Sequence, residues 1–208
     1  MDMADGHTVV VATGNAHKLT EIEAILGAAP ALAGMRFVAL GELGDFEDPE
    51  ENGATFAENA LIKARAALDE TGLSMAVADD SGLVVDALDG APGIFSARWA
   101  GEHGNDAANN AKMLREMADV ADGGRSARFH SSVVLVTRDE DGEEVLVGEG
   151  DCEGSIAHDL RGTNGFGYDP LFELADVPGR RMAELEPDEK NAISHRRRAL
   201  DDLVAKLS

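Results

Sequence analysis

Asp79 and Asp80 stand side by side between two runs of small apolar residues, in the stretch AVADDSGLVV. Two adjacent carboxylates in apolar surroundings raise each other's pKa unless a cation or hydrogen-bond donors compensate. Their oxygens are also the ligands that a hard divalent ion such as Mg2+ takes. Asp followed by Ser81 and Gly82 is good turn chemistry too, so an acid capping a tight turn is the competing reading. Glu50 and Glu51 precede a segment beginning FAEN, and they would join a metal site if that helix packs beside the strand ending at Asp79.

Three other segments have residue types suited to anions and aromatic rings. In TGNAHK, Thr13 to Lys18, a short polar loop joins a strand to a helix. Unsatisfied N–H groups and the helix dipole attract anions there, and Lys18 adds a point charge. The G-x-x-x-x-G-K-[ST] phosphate loop is absent, and an ordinary strand-to-helix turn is the alternative. In GFGYDP, glycines flank Phe166 and let the backbone approach a ligand, rings can stack on a nucleobase, and Asp169 can accept from ring N–H groups. A hydrophobic loop anchor explains the same residues. In KNAISHRRRAL, Lys190 could hold a phosphate while His195 and Arg196 donate to a carbonyl-bearing base; Arg197 and Arg198 read as a solvated face.

These segments sit on a recognisable frame. HTVVVATGN is a buried strand, and KLTEIEAILGAAP a helix with Leu19, Ile22, Ile25 and Leu26 on one face. RFVALGEL reads as a second strand, followed by an acidic loop. Thr55 and Glu58 stand in capping-box relation at the head of the helix FAENALIKARAALDETG, which Gly72 ends and on which Asn59 and Lys63 share a face. LSMAVA and GLVVDAL read as separate strands on either side of the acid pair. NDAANNAKMLREMADV is a helix, two β-rich runs around Asp141-Gly142 form a hairpin, and ISHRRRALDDLVAKL closes the chain. Strand-helix alternation with a hairpin predicts an α/β fold with a mixed sheet.

The 208 residues suit one domain, and 44% hydrophobic against 28% charged residues suits a folded protein. With 18 Lys and Arg against 40 Asp and Glu, the net charge of −22 opposes nucleic-acid polymers and anionic membranes as partners. The acids are spread through ELGDFEDPEE, RDEDGEE and ELEPDEK without calcium-loop spacing, which favours surface solvation over a cation store. Cys152 is the lone cysteine, so no intrachain disulfide or cysteine-based zinc site is expected. The start MDMADGHT is unlike a signal peptide, and no apolar run approaches the roughly 20 residues of a membrane span. A cytoplasmic location follows as the expectation.

Taken in order, TGNAHK, EENGATFAENALIKA, ADDSGL, GAPGIFSARWAG, GTNGFGYDPLF and EKNAISHR resemble the inosine triphosphate pyrophosphatase family. The resemblance runs from Val9 to the last helix. It implies a single domain over residues 1–208, with an elongated two-lobed mixed-sheet α/β fold and an active site in the cleft between the lobes. It also implies a homodimer, Mg2+, and hydrolysis of the non-canonical purine nucleotides ITP, dITP and XTP to monophosphate and pyrophosphate. Carried over by position, Thr13, Gly14, Asn15 and Lys18 would form the triphosphate loop. Asp80 would be catalytic and a metal ligand with Glu51, and Ser81 would touch substrate. Phe166, Gly167, Tyr168 and Asp169 would form the base-side loop, and Lys190, His195 and Arg196 would complete the nucleotide site. Asp79 would be a structural support.

Within that resemblance, metal and Lys would neutralise phosphates while a carboxylate orients the attacking water. Donors on His195 and Arg196 matched to a 6-keto oxygen would be left unpaired against adenine, a mismatch that rejects a wrong base by roughly 10⁴–10⁵. The alternatives are a nucleotide-dependent kinase using TGNAHK, which should require a phosphoryl acceptor, and a non-catalytic nucleotide-binding module.

Overall fold

The computed structural model describes residues 7–13 and 16–207. Gly14 and Asn15, two of the triphosphate-loop residues expected from the sequence, lie outside the described residues. Among the described residues, six strands form one mixed sheet in the order β2-β1-β3-β4-β5-β6.

Strand β1 (Thr8–Val11) pairs in parallel with β2 (Arg36–Ala39) and with β3 (Met75–Val85). Parallel neighbours need crossover connections, which helix α1 (Ala16–Leu26) provides between β1 and β2. The connection from β2 to β3 runs through the short helix α2 (Leu40–Leu43), the acidic loop and helix α3 (Phe56–Thr71). After 310 turns and helix α4 (Asp106–Glu116), the long hairpin β4 (Ser126–Asp139) and β5 (Gly142–Ile156) follows. Asp139 Oδ1 ties the hairpin turn by accepting from the N–H groups of Asp141 (2.8 Å) and Gly142 (3.1 Å). Strand β6 (Phe172–Leu174) pairs antiparallel with β5, and helices α5 (Pro187–Ile193) and α6 (His195–Lys206) end the chain.

The chain divides into two compact units, one made of residues up to Asp80, Ser131–Gly150 and Arg196 onward, the other of Ser81–His130 and Asp151–His195. In the first, both sheet faces are covered, which is why its strands read as unbroken apolar runs. Val9, Val11, Val77 and Val133 pack on Ile22 and Leu26 of α1 and on Leu200 and Leu203 of α6. The residues of opposite parity, Val10, Ala76, Ala78 and Val134, pack on Ala60, Ala64 and Ala67 of α3. This period-2 division decides which helix each side chain of β3 can reach.

The core of the second unit gathers Leu83, Phe129, Ile156 and Phe172 with Met113 and Met117 of α4, and Phe129 lies 4.6 Å from Phe172 by ring centroids. Arg125 is buried beside it and donates to the carbonyls of Met117, Val120, Ile156 and Ala157, satisfying the end of α4.

Two local expectations differ from the structure. The segments on either side of the acid pair form a single strand, Met75–Val85, with Ser81 and Gly82 inside it. Both carboxylates meet cationic partners where they stand, so no turn is needed to deliver them to solvent. RFVALGEL is strand only to Ala39, after which Leu40–Leu43 turns into α2. Among the described residues, no helix is long and apolar enough to cross a membrane.

Candidate functional site

Adjacent side chains of a strand point to opposite faces, and β3 uses this to give its two acids different surroundings. Asp79, buried at 3% exposure, faces α1 and α6. Lys18 Nζ lies 3.0 Å from each of its oxygens, and Arg196 Nε lies 3.0 Å from Oδ2. Arg196 also reaches Glu21, one turn beyond Lys18 on α1, at 3.4 Å. Burial alone would push the Asp79 carboxyl up, but Arg196 and Lys18 overcome it and hold the group far below the usual carboxylate range. Asp79 is therefore an anion at neutral pH.

Asp80 faces α3. Lys63 Nζ lies 3.1 Å from Oδ1, and Asn59 Nδ2 lies 3.2 Å from Oδ2. The same ammonium lies 3.3 Å from Glu51 Oε1. Asn59 accepts from the Gly53 N–H at 2.9 Å, fastening the loop that carries Glu51 to the helix that carries Lys63. A Cβ at Gly53 would fall 2.7 Å from that Asn59 oxygen, so the close approach requires glycine. Burial and the Glu51 charge raise the Asp80 carboxyl, against the pull of Lys63 and Asn59. Burial likewise opposes the Lys63 charge, but Asp80 and Glu51 prevail and raise its pKa.

Asp80, Glu51 and Lys63 thus form a cluster with one net negative charge and hard oxygen donors on both sides of a cation. No group of three or more His, Cys, Asp or Glu side chains arranged for a metal occurs among the described residues. Two carboxylates nevertheless suit Mg2+, which keeps waters and takes further oxygens from substrate phosphates. Beside this cluster, Thr13 and Lys63 line a cavity of about 400 Å³ together with Asp45, Phe46 and Glu70.

The second unit has a different surface. A cavity of about 130 Å³ is lined by Ser81, Ser96, Asp106, Phe129, residues 166–169, Lys190 and His195. Phe166 is 67% exposed, with Lys190 Nζ 4.5 Å from its ring centroid. Asp169 is buried, accepts from the Phe166 N–H at 2.9 Å and pairs closely with Lys190. Burial outweighs Lys190 and raises the Asp169 carboxyl. At Gly165, where φ is +76°, a Cβ would fall 1.9 Å from Asp169 Oδ2. The His195 ring stacks on Phe129 at 5.3 Å.

Gly14 and Asn15 aside, the structure places the sequence-predicted residues within these two units. Lys18 and Arg196 meet on Asp79; Glu51 and Asp80 meet on Lys63; Ser81, Phe166, Gly167, Tyr168, Asp169, Lys190 and His195 line one cavity. Three placements differ in detail. Tyr168 is buried with its hydroxyl donating to the Ser96 carbonyl at 3.0 Å, so of these two rings Phe166 is the open one. Lys190 engages Asp169 and Phe166. His195 lines the cavity, whereas Arg196 bonds Asp79 and Glu21. Lys63 and Asn59 received no role from the sequence; their shared helix face was the available signal, but it names no partner.

A model of the Ham1 family matches residues 9–206. The chain is 50% identical over 199 residues to the dITP/XTP pyrophosphatase of Mycolicibacterium paratuberculosis, covering 96% of this chain and 95% of that one. It is 52% identical to the dITP/XTP pyrophosphatase of Xanthomonas axonopodis pv. citri, with 96% of each covered. The solved HAM1 protein of Coxiella burnetii superposes with a TM-score of 0.84 at 44% identity, over 96% of this chain and 98% of that one. The architecture, the segments that build both groups of side chains and near-complete coverage agree: the chain belongs to the Ham1 family.

Proposed function

We propose that this chain hydrolyses the α–β phosphoanhydride of ITP, dITP and XTP, releasing the nucleoside monophosphate and pyrophosphate. The observation that carries the reading is the carboxylate-ammonium cluster of Asp80, Glu51 and Lys63, which is suited to metal and phosphate. Ser81, the next residue of the same strand, lines a cavity with an open aromatic ring. The names of the relatives at about half identity support the substrate class.

Asp80 and Glu51 would hold Mg2+, which when bound supplies neutralising charge to the phosphate oxygens. Thr13, Gly14, Asn15, Lys18 and Lys63 would hold the triphosphate. Asp80 would orient a water for attack on the α-phosphorus and take its proton, as pyrophosphate leaves with the electron pair of the broken P–O bond. Phe166 would stack on the purine, and His195 would donate to the 6-keto oxygen, which adenine lacks. Asp169 and Lys190 hold the loop under the ring, and Arg196 secures Asp79 behind the acid that reacts. The reading carries with it a homodimer and a cytoplasmic location, supported by the sequence resemblance.

A panel of nucleoside triphosphates assayed for pyrophosphate release with and without Mg2+ tests it. ITP, dITP and XTP should yield pyrophosphate and monophosphate only with the metal, and ATP should be poor. Release of single phosphate instead would overturn the reaction.

A further inference from the structure

Phe166 combines an open ring with a tightly held backbone. Its own N–H donates to Asp169 Oδ2 at 2.9 Å. The Gly167 N–H donates to Asp106 Oδ2 at 2.7 Å, and the Gly167 carbonyl accepts from Asn110 Nδ2 at 2.8 Å. Asp106 and Asn110 stand one turn apart at the start of α4, so a single helix face grips both polar groups of Gly167. The grip is itself braced. Asn110 Nδ2 also donates to the Asp106 carbonyl at 2.8 Å, and Asn105 caps the helix by accepting from the Ala108 N–H at 3.0 Å. Gly167 has φ of +60°, a left-handed conformation that lets the chain reverse behind Phe166. Asn110 is buried, and its Oδ1 has no hydrogen-bond partner among the described residues.

An exposed aromatic on a glycine-flanked loop ordinarily samples many orientations and loses them on binding, which weakens affinity. Here the loop is fixed beforehand. The geometry points to Asp106 and Asn110 as positioning residues that pre-set the Phe166 ring for stacking on the substrate base, an assignment that rests on the pyrophosphatase reading. Their contribution is to base binding and leaves the phosphate end alone. Lost clamp contacts should therefore weaken the nucleotide in ground and transition states alike, raising KM with little change in kcat.

The test uses the full chain with ITP and Mg2+, and inorganic tripolyphosphate as a competitor that has the phosphates without the base. Asp106→Ala should raise KM for ITP about tenfold, the scale of one lost charge-assisted hydrogen bond, with kcat within about twofold. Asp106→Asn keeps an acceptor oxygen of the same reach and should stay within about threefold of wild type. Inhibition by tripolyphosphate should be equal in all three proteins. Asn110→Ala should parallel Asp106→Ala; because Asn110 is buried, the partly exposed Asp106 pair decides the matter if that variant does not fold. An unchanged KM in Asp106→Ala, or an equal weakening of tripolyphosphate, overturns the clamp while wild-type turnover leaves the pyrophosphatase reading standing. A wild-type protein that releases no pyrophosphate overturns that reading, and this inference with it.

Discussion

At the residue scale, Asp79 and Asp80 are identical groups made different by parity alone. Asp79 is held below the ordinary carboxylate range, so its contribution to stability is present above the unfolded value of about 4 and is lost as pH falls below it. Asp79→Ala would leave Lys18 and Arg196 without their shared anion, and should cost about 3 kcal/mol of unfolding free energy at pH 7 by urea titration. The gap from wild type should narrow at pH 3. Asp80 has the opposite sign. Its folded pKa is raised, so the fold favours the protonated acid and loses stability as pH rises through that value. In the absence of Mg2+, Asp80→Asn should therefore melt at a higher temperature than wild type at neutral pH. With Mg2+ and ITP the same variant should lose turnover by at least about a thousandfold, and retained activity would remove Asp80 from the chemistry. The adjacency was legible in the sequence, and the resemblance implied a supporting role for Asp79. The partners were not, because Lys18, Arg196 and Lys63 reach the pair from helices far away along the chain.

At the element scale, α3 shows how local signals reach a distant site. The sequence marks both ends correctly: Thr55 accepts from the Glu58 N–H at 3.1 Å, and Gly72 ends the helix at φ of 68°. The reciprocal half of the cap lands one residue earlier, with Glu58 accepting from the Ala54 N–H at 2.6 Å. Thr55→Ala should cost about 1 kcal/mol in chemical denaturation. Asn59 follows one turn after the cap and Lys63 a turn later, so fraying should also lower kcat several-fold, whereas a purely structural cap would leave it unchanged. Capping and periodicity are encoded within a few residues, which is why α1, α3, α4 and the hairpin could be read directly. The continuity of β3 could not, because Asp-Ser-Gly is turn chemistry until Lys18, Arg196, Lys63 and Asn59 answer its charges in place. The short helix α2 was hidden for a similar reason, since four residues are too few to show a period.

At the scale of the whole molecule, the net charge of −22 acts everywhere at once. Self-repulsion disfavours the compact state, and salt screens it over about 10 Å at 0.1 M and about 3 Å at 1 M. Raising KCl from 0.1 to 1 M should increase the melting temperature, and a flat or falling response would show that paired surface charges dominate. The α/β class and the mixed sheet were legible, and so were the segments that carry the proposed site residues, because each rests on a short motif. The division of His195 from Arg196, neighbours in sequence with different partners, was not, since one helix start fixes both and only packing separates them. The strand bearing the acid pair has a further consequence for how such a chain can vary. Side-chain direction alternates with every residue, so β3 behaves like a reading frame. Deleting one residue between Met75 and Ala78 would turn Asp80 toward the cations of α1 and α6 and Asp79 toward Lys63, whereas substitutions there change only packing. This stretch should accept altered letters far more readily than an altered length.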